Sequence, residues 1–245
     1  MSADKANGAG NPVEQDTSAV RGLARFLHRV GRLKALPRTG WLHRGVPEEE
    51  AESVADHSFR TALLAWLAAA AEPALDRERV LKLALTHDLA EALAGDPTPY
   101  DPAGLPASAD AEARRAFLNR RLVRSDAQRA AKQAAEAAAM ASLAADLPPH
   151  LAAELAALWA ELDEGTTAEA RFVKQADKLE AYLQSLEYLA ADPNRPMESF
   201  AAEVADVVTA PALADLRDAI AALEAAEGLA ELDGNSTDPV DPAGS

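Results

Sequence analysis

Apolar side chains recur at three- and four-residue intervals in one segment after another, each bounded by Pro or Gly. That spacing is the period of a helix with one buried side. In the first segment, residues 18–36, Leu23, Phe26, Leu27, Val30 and Leu33 share a face, while Arg21, Arg25, Arg29 and Arg32 fall elsewhere; Pro37 ends it. Composition points the same way, because 49% of residues are hydrophobic yet only 4% aromatic, with Ala and Leu dominating. An all-α bundle follows. A chain of 245 residues can bury one substantial core, so a single domain over 18–231 is expected. The tails at 1–17 and 232–245 are rich in Gly, Asn, Asp and Ser, too polar to order themselves.

Further helices are expected over 53–71, where Ser53 and Asp56 form an N-terminal cap, and over 76–94, from Asp76 to a Gly95 stop. The alanine-rich stretch 107–145 holds one or two more. Pro148-Pro149 opens another to about residue 163, 166–190 is strongly amphipathic, and weaker helices fill 196–231. Residues 37–47 read as a loop, with Arg38, Arg44 and an exposed Trp41 suited to ligand contact.

With 24 basic and 40 acidic side chains the net charge is −16, which repels polymeric nucleic acid. A small phosphate ester remains open, because a local cluster of cations acts inside the screening length. There is no cysteine, so any metal must be held by nitrogen and oxygen. The longest run of small apolar residues, 62–71, falls far short of the about 20 that span a bilayer. A cytoplasmic protein with no membrane association is expected.

Several ionisable groups share faces with core residues. His57 lies on the side of Val54, Thr61 and Leu64; His87, Asp88 and Glu91 follow Val80 and Ala84; Asp177 and Glu180 follow Val173 and Ala176. An isolated His on such a face is usually a hydrogen-bonded core residue. Burying two imidazoles with several carboxylates, however, costs several kcal/mol unless they pair or share a cation, and one divalent ion answers that requirement.

Four strings carry a resemblance: Arg-Thr-Gly-Trp (38–41), Glu-Ser-Val-Ala-Asp-His-Ser (52–58), His-Asp-Leu-Ala-Glu-Ala-Leu-Ala-Gly-Asp-Pro-Thr-Pro (87–99) and Ala-Glu-Ala-Arg-Phe-Val-Lys-Gln-Ala-Asp-Lys-Leu-Glu (168–180). In this order they resemble the HD-domain family, within it the 5'-deoxynucleotidase branch. The resemblance implies an HD-domain helical bundle, with His57, His87, Asp88 and Asp177 as ligands of one divalent cation: Co, Mn, Fe, Ni, Zn or Mg. It implies Glu91 as the residue that orients or deprotonates water, and Asp96 as a positioning carboxylate. Arg38 and Trp41 would recognise the phosphate and deoxyribose of a small nucleotide, with Arg44, Lys174 and Lys178 adding positive charge. Members of this branch are often dimers, so a homodimer is expected.

Residues 103–131 depart from the pattern and read as an inserted helical segment. A two-metal HD hydrolase would need further histidines between Asp88 and Asp177, where only His150 lies. A different nucleotide or phosphorylated metabolite as substrate, or a catalytically silent HD module, are the remaining readings; the filled ligand set argues against silence.

Overall fold

The computed structural model describes residues 12–227, with side chains placed for 17–225. Eleven α-helices run in the order α1 (Pro12–Val30), α2 (Thr39–His43), α3 (Val54–Ala68), α4 (Arg77–Thr86), α5 (Glu91–Ala94), α6 (Ala111–Leu118), α7 (Asp126–Ala144), α8 (Pro149–Glu164), α9 (Ala168–Ala191), α10 (Glu198–Val207) and α11 (Pro211–Glu227). Among the described residues there is no named strand; a lone antiparallel bridge joins Pro37 to Ser53. None of these helices is long and apolar enough to cross a membrane.

Helix α9 occupies the middle, touching α3, α4, α8, α10 and α11. Its buried Val173, Ala176 and Leu179 meet Ala65 of α3 and Val80, Leu83 and Ala84 of α4, all at most 1% exposed. Each large aliphatic side chain buried this completely contributes about 1.5–3 kcal/mol. The helix starts agree with the sequence signals. Ser53 and Asp56 form a reciprocal capping box on α3, Asp76 accepts from the amides of Glu78 and Arg79, and Thr167 caps α9.

Two expectations need correction. The helix expected over 76–94 breaks after Thr86, because the Ala84 carbonyl accepts a hydrogen bond from His87 Nδ1 at 2.7 Å. The following amides then reach three residues back: Leu89 to Thr86, Glu91 to Asp88 and Ala92 to Leu89. This tightened turn precedes α5. The first helix begins at Pro12, inside the segment read as a tail, and gives way to a 3₁₀ turn over Gly31–Ala35. Phe26, Val30 and Leu33 face inward, while Leu23 and Leu27 are exposed. Residues 1–11 of the expected tail at 1–17, and all of the expected tail at 232–245, lie outside the described residues.

The expected inserted segment, 103–131, contains α6 and the start of α7. Arg114 ties it to the α2 end by donating to the His43 carbonyl at 2.8 and 3.1 Å. In α1, a Cβ on Gly22 would lie 2.1 Å from the carbonyl oxygen of Asp146, just past the end of α7. Gly22→Ala is therefore expected to cost about 1–3 kcal/mol, as overpacking does. For a chain of this size that lowers Tm by roughly 2–12 °C; an unchanged Tm in thermal denaturation would contradict this packing.

Candidate metal centre

Three elements deliver the inward polar groups: His57 from α3, His87 and Asp88 from the tight turn after α4, and Asp177 from α9. His57 Nε2 lies 3.3 Å from His87 Nε2 and 3.1 Å from Asp177 Oδ1. Asp88 Oδ2 lies 3.2 Å from His87 Nε2 and 3.8 Å from His57 Nε2. Atoms each about 2.1 Å from a shared cation stand about 3.0–3.4 Å apart at adjacent corners of an octahedron or tetrahedron. Three of the four separations fall in that range.

The other ring nitrogens decide what the centre needs. His87 Nδ1 meets the Ala84 carbonyl and His57 Nδ1 meets the Glu180 carboxylate. Both partners are acceptors, so each Nδ1 carries a proton and each Nε2 turns a lone pair toward the other and toward two carboxylates. Lone pairs and carboxylates gathered in this way call for positive charge, part of which Arg38 supplies beside Asp88 and Lys178 beside Asp177.

The ionisation states express the same demand. Burial and Arg38 would lower His57, but hydrogen bonds with Asp177 and Glu180 raise it to about 10. Burial likewise opposes charge on His87, yet Asp88 raises it. Asp177 is held well below its ordinary value against burial, by Lys178 and His57. Protons and a metal ion compete for such a centre. Two imidazoles and two carboxylates fit a first-row divalent ion or magnesium.

Beside the centre lies a pocket of about 440 Å³, with Arg38, Trp41, Glu91, Asp96 and Lys178 on its walls. Arg38 Nη1 donates to Asp88 at 3.2 Å and its Nε lies 3.8 Å from Asp96. Burial opposes its charge, but Asp88, Asp96 and Asp177 outweigh that and keep the guanidinium cationic. Gly95 adopts φ +80°, which turns Asp96 back to accept from the Thr39 amide at 2.7 Å. Glu91 is buried, and its Oε2 has no protein hydrogen-bond partner. Burial, then repulsion by Asp88 and Asp96, raises its carboxyl to about 10. A cation at the centre would pull that value back down.

The sequence pattern of the HD domain matches residues 30–213. This chain belongs to the HD-domain family. It is 36% identical to the protein named 5'-deoxynucleotidase HDDC2 of Xenopus laevis over 172 residues, covering 70% of this chain and 72% of that protein. It is 35% identical to 5'-deoxynucleotidase hdd1 of Schizosaccharomyces pombe over 163 residues, covering 66% and 70%. Among solved structures it resembles the PH0347 protein of Pyrococcus horikoshii, with TM-score 0.57, 29% identity, and coverage of 82% of this chain and 99% of that one. A predicted metal-dependent phosphohydrolase of Magnetospirillum magnetotacticum aligns with TM-score 0.57 and 25% identity, covering 84% and 93%.

The remaining expected site residues of this HD-domain protein divide. Trp41 sits on the helix α2, not on a loop, and is only 2% exposed. Its indole packs against Tyr188 and Phe200, with ring centroids 5.1 and 4.8 Å away. Arg44 lines the pocket, but its guanidinium already bonds the Pro196 carbonyl and Ser199 and stacks on Phe200. Burial lowers it to about 10. Lys178 pairs with Asp177 at 3.1 Å. Lys174 does not line the Arg38 pocket; it donates to the Asp163 carbonyl and lines an adjoining cavity of about 510 Å³ that also reaches His87 and Asp177.

Sequence reasoning gave no role to three groups behind or around the centre. Arg60 grips Glu180 at 2.9 Å and Gln184 at 2.6 Å, fixing the carboxylate that orients His57. The signal was present, since Arg60 follows His57 by three residues and Glu180 follows Asp177 by three. Glu52 stands close to both His57 and Glu180; burial, then Glu180, raises it to about 7. Arg120, Arg124, Arg129 and Lys132 bring positive charge to the pocket from the segment read as inserted and the helix after it. Asp177→Asn, which keeps the shape but removes the charge, is expected to weaken cobalt binding by more than about 100-fold, beyond the effect of an outer-shell change. Calorimetric titration of a folded variant with unchanged affinity would remove Asp177 from the centre.

Proposed function

We propose that the protein is a metal-dependent phosphomonoesterase that removes the 5'-phosphate from deoxyribonucleoside monophosphates. The observation that carries this reading is the cluster of His57, His87 and Asp88, joined by Asp177 at 3.1 Å from His57, at the edge of the pocket formed by Arg38 and Trp41. The names of the relatives and of one structural neighbour support the reaction class.

A divalent cation held by these four residues, drawn from Mn, Co, Fe, Ni, Zn and Mg, supplies Lewis acidity and a water of lowered pKa. The protein's own groups do the rest. Glu91 takes the proton of the attacking water from the pocket wall, and Asp96 helps hold that water or the substrate. Water oxygen bonds to phosphorus, the bond from phosphorus to the 5'-oxygen breaks, and that oxygen leaves with a proton as the nucleoside hydroxyl. Arg38, a fixed cation, offsets the charge that builds on the phosphoryl oxygens. Trp41, immobilised by its neighbours, covers the sugar and leaves no room for a 2'-hydroxyl.

The cations at 120–132 favour a second reading, in which the substrate carries further phosphate groups. Phosphate release from a panel of deoxy- and ribonucleotides, with single metals added back, separates the two. We expect dAMP to be turned over about tenfold or more faster than AMP, and dATP poorly. Equal turnover of dAMP and AMP would end the deoxy-selective reading, and preference for dATP would favour the second.

A homodimer is also part of this reading. The outer side of α3 exposes Phe59, Leu63, Trp66 and Leu67, at 69, 41, 39 and 55%, and no charged residue occurs between Arg60 and Glu72. An isologous two-fold contact sets such a stripe against itself without requiring charge matching. Leu63→Glu should convert a dimer to a monomer in sedimentation equilibrium; a mass unchanged from that of the parent protein would exclude this face.

A further inference from the structure

Each polar group of Glu52 is committed to a different part of the pocket. Its carboxylate accepts from Trp41 Nε1 at 2.8 Å. Its carbonyl accepts from the Arg38 amide at 3.0 Å, and its own amide donates to Tyr188 Oη at 2.8 Å. Tyr188 in turn meets the Trp41 ring edge-on. Next to Glu52 stands Ser53, the cap of the helix that carries His57, and the Val54 amide reaches back to the Leu36 carbonyl at 2.9 Å. One residue thus ties both substrate-facing side chains, Arg38 and Trp41, to the helix that supplies the metal centre.

We propose that Glu52 is a positioning residue for substrate selectivity: its carboxylate tethers the Trp41 indole in register with Arg38 and His57, and this tether sets discrimination against a 2'-hydroxyl. The inference rests on the deoxynucleotidase reading above. Its physical basis is the freedom of an aromatic ring. Packing on Tyr188 and Phe200 fixes the plane of the indole but still allows it to slide or tilt, whereas a hydrogen bond from Nε1 to a largely buried carboxylate fixes the ring edge. A shift of a few tenths of an ångström at that edge is enough to open space for one hydroxyl.

The main-chain bond from Arg38 to Glu52 survives side-chain truncation, so Glu52→Ala isolates the Trp41 tether. Trp41→Phe removes the same hydrogen bond from the other end. The measurement is the ratio of kcat/KM for dAMP over AMP in the metal-loaded parent, E52A, E52Q, W41F and the double variant E52A/W41F, with cobalt affinity measured in parallel by calorimetry.

We expect E52A and W41F each to lower the ratio about tenfold, the scale of one hydrogen bond to a charged group. The double variant should lose no more than W41F alone, because Glu52 acts only through the indole that W41F removes. E52Q should keep most of the ratio, since its amide oxygen still accepts from the indole, and cobalt affinity should stay within about threefold throughout, below the 10-fold minimum of outer-shell effects. An E52A ratio equal to that of the parent, a strictly additive double variant, or cobalt affinity falling as far as the ratio would each overturn the proposal. A parent ratio near one would instead sink the deoxynucleotidase reading itself, so the two failures are distinguishable. Should E52A fail to fold, Glu52→Leu, which keeps the volume but cannot accept from the indole, takes its place in the comparison with E52Q.

Discussion

Two imidazoles turned by their Nδ1 atoms toward fixed acceptors, so that their Nε2 lone pairs meet, impose the arrangement on which the rest of the site depends. On one side the acceptor is the Ala84 carbonyl, on the other the buried Glu180. Asp88 approaches both Nε2 atoms and Asp177 that of His57. Leaving four acceptors together in a buried site without positive charge would cost several kcal/mol. Arg38 beside Asp88 and Lys178 beside Asp177 supply part of that charge; the surrounding core, built largely of Ala, Val and Leu, supplies none.

This requirement also accounts for local departures from regular structure. The His87 ring takes the carbonyl that a continuing helix would use, and the tightened turn brings Asp88 and Glu91 to the pocket side. Arg60, spread across Glu180, Glu187 and Gln184, braces the outer carboxylate against α9. The pocket beside the centre joins groups of opposite demand. Arg38 stays charged among carboxylates, while Glu91 is pushed toward its neutral form by burial and by Asp88 and Asp96. Groups whose ionisation is driven apart in this way are suited to divide phosphate binding from proton transfer.

The helical architecture was legible because amphipathic spacing and capping residues act locally. Ser53 with Asp56, Asp76 and Pro149 mark real helix ends. The proposed ligands stood out in the sequence for a related reason, as polar residues at core positions on three different segments. The break after Thr86 was not, because it depends on a ring-to-carbonyl bond that helical periodicity does not encode. Trp41 looked exposed among Gly and Pro, but Tyr188 and Phe200, remote in sequence, cover it. Lys174 and Lys178 lie one turn apart on α9, yet only Lys178 lines the Arg38 pocket. The roles of Glu52 and of the cations at 120–132 arise from long-range packing, which a single sequence does not specify.

Anomalous diffraction at the cobalt edge, from crystals of the cobalt-loaded protein, tests the centre most directly. One peak about 2.1 Å from His57 Nε2, His87 Nε2 and one oxygen each of Asp88 and Asp177 is expected. The neighbouring cluster of Glu52, His57 and Glu180 offers the nearest competing set of ligand atoms. A cobalt peak there, with Asp88 and Asp177 outside bonding distance, would contradict the assignment and the chemistry built on it.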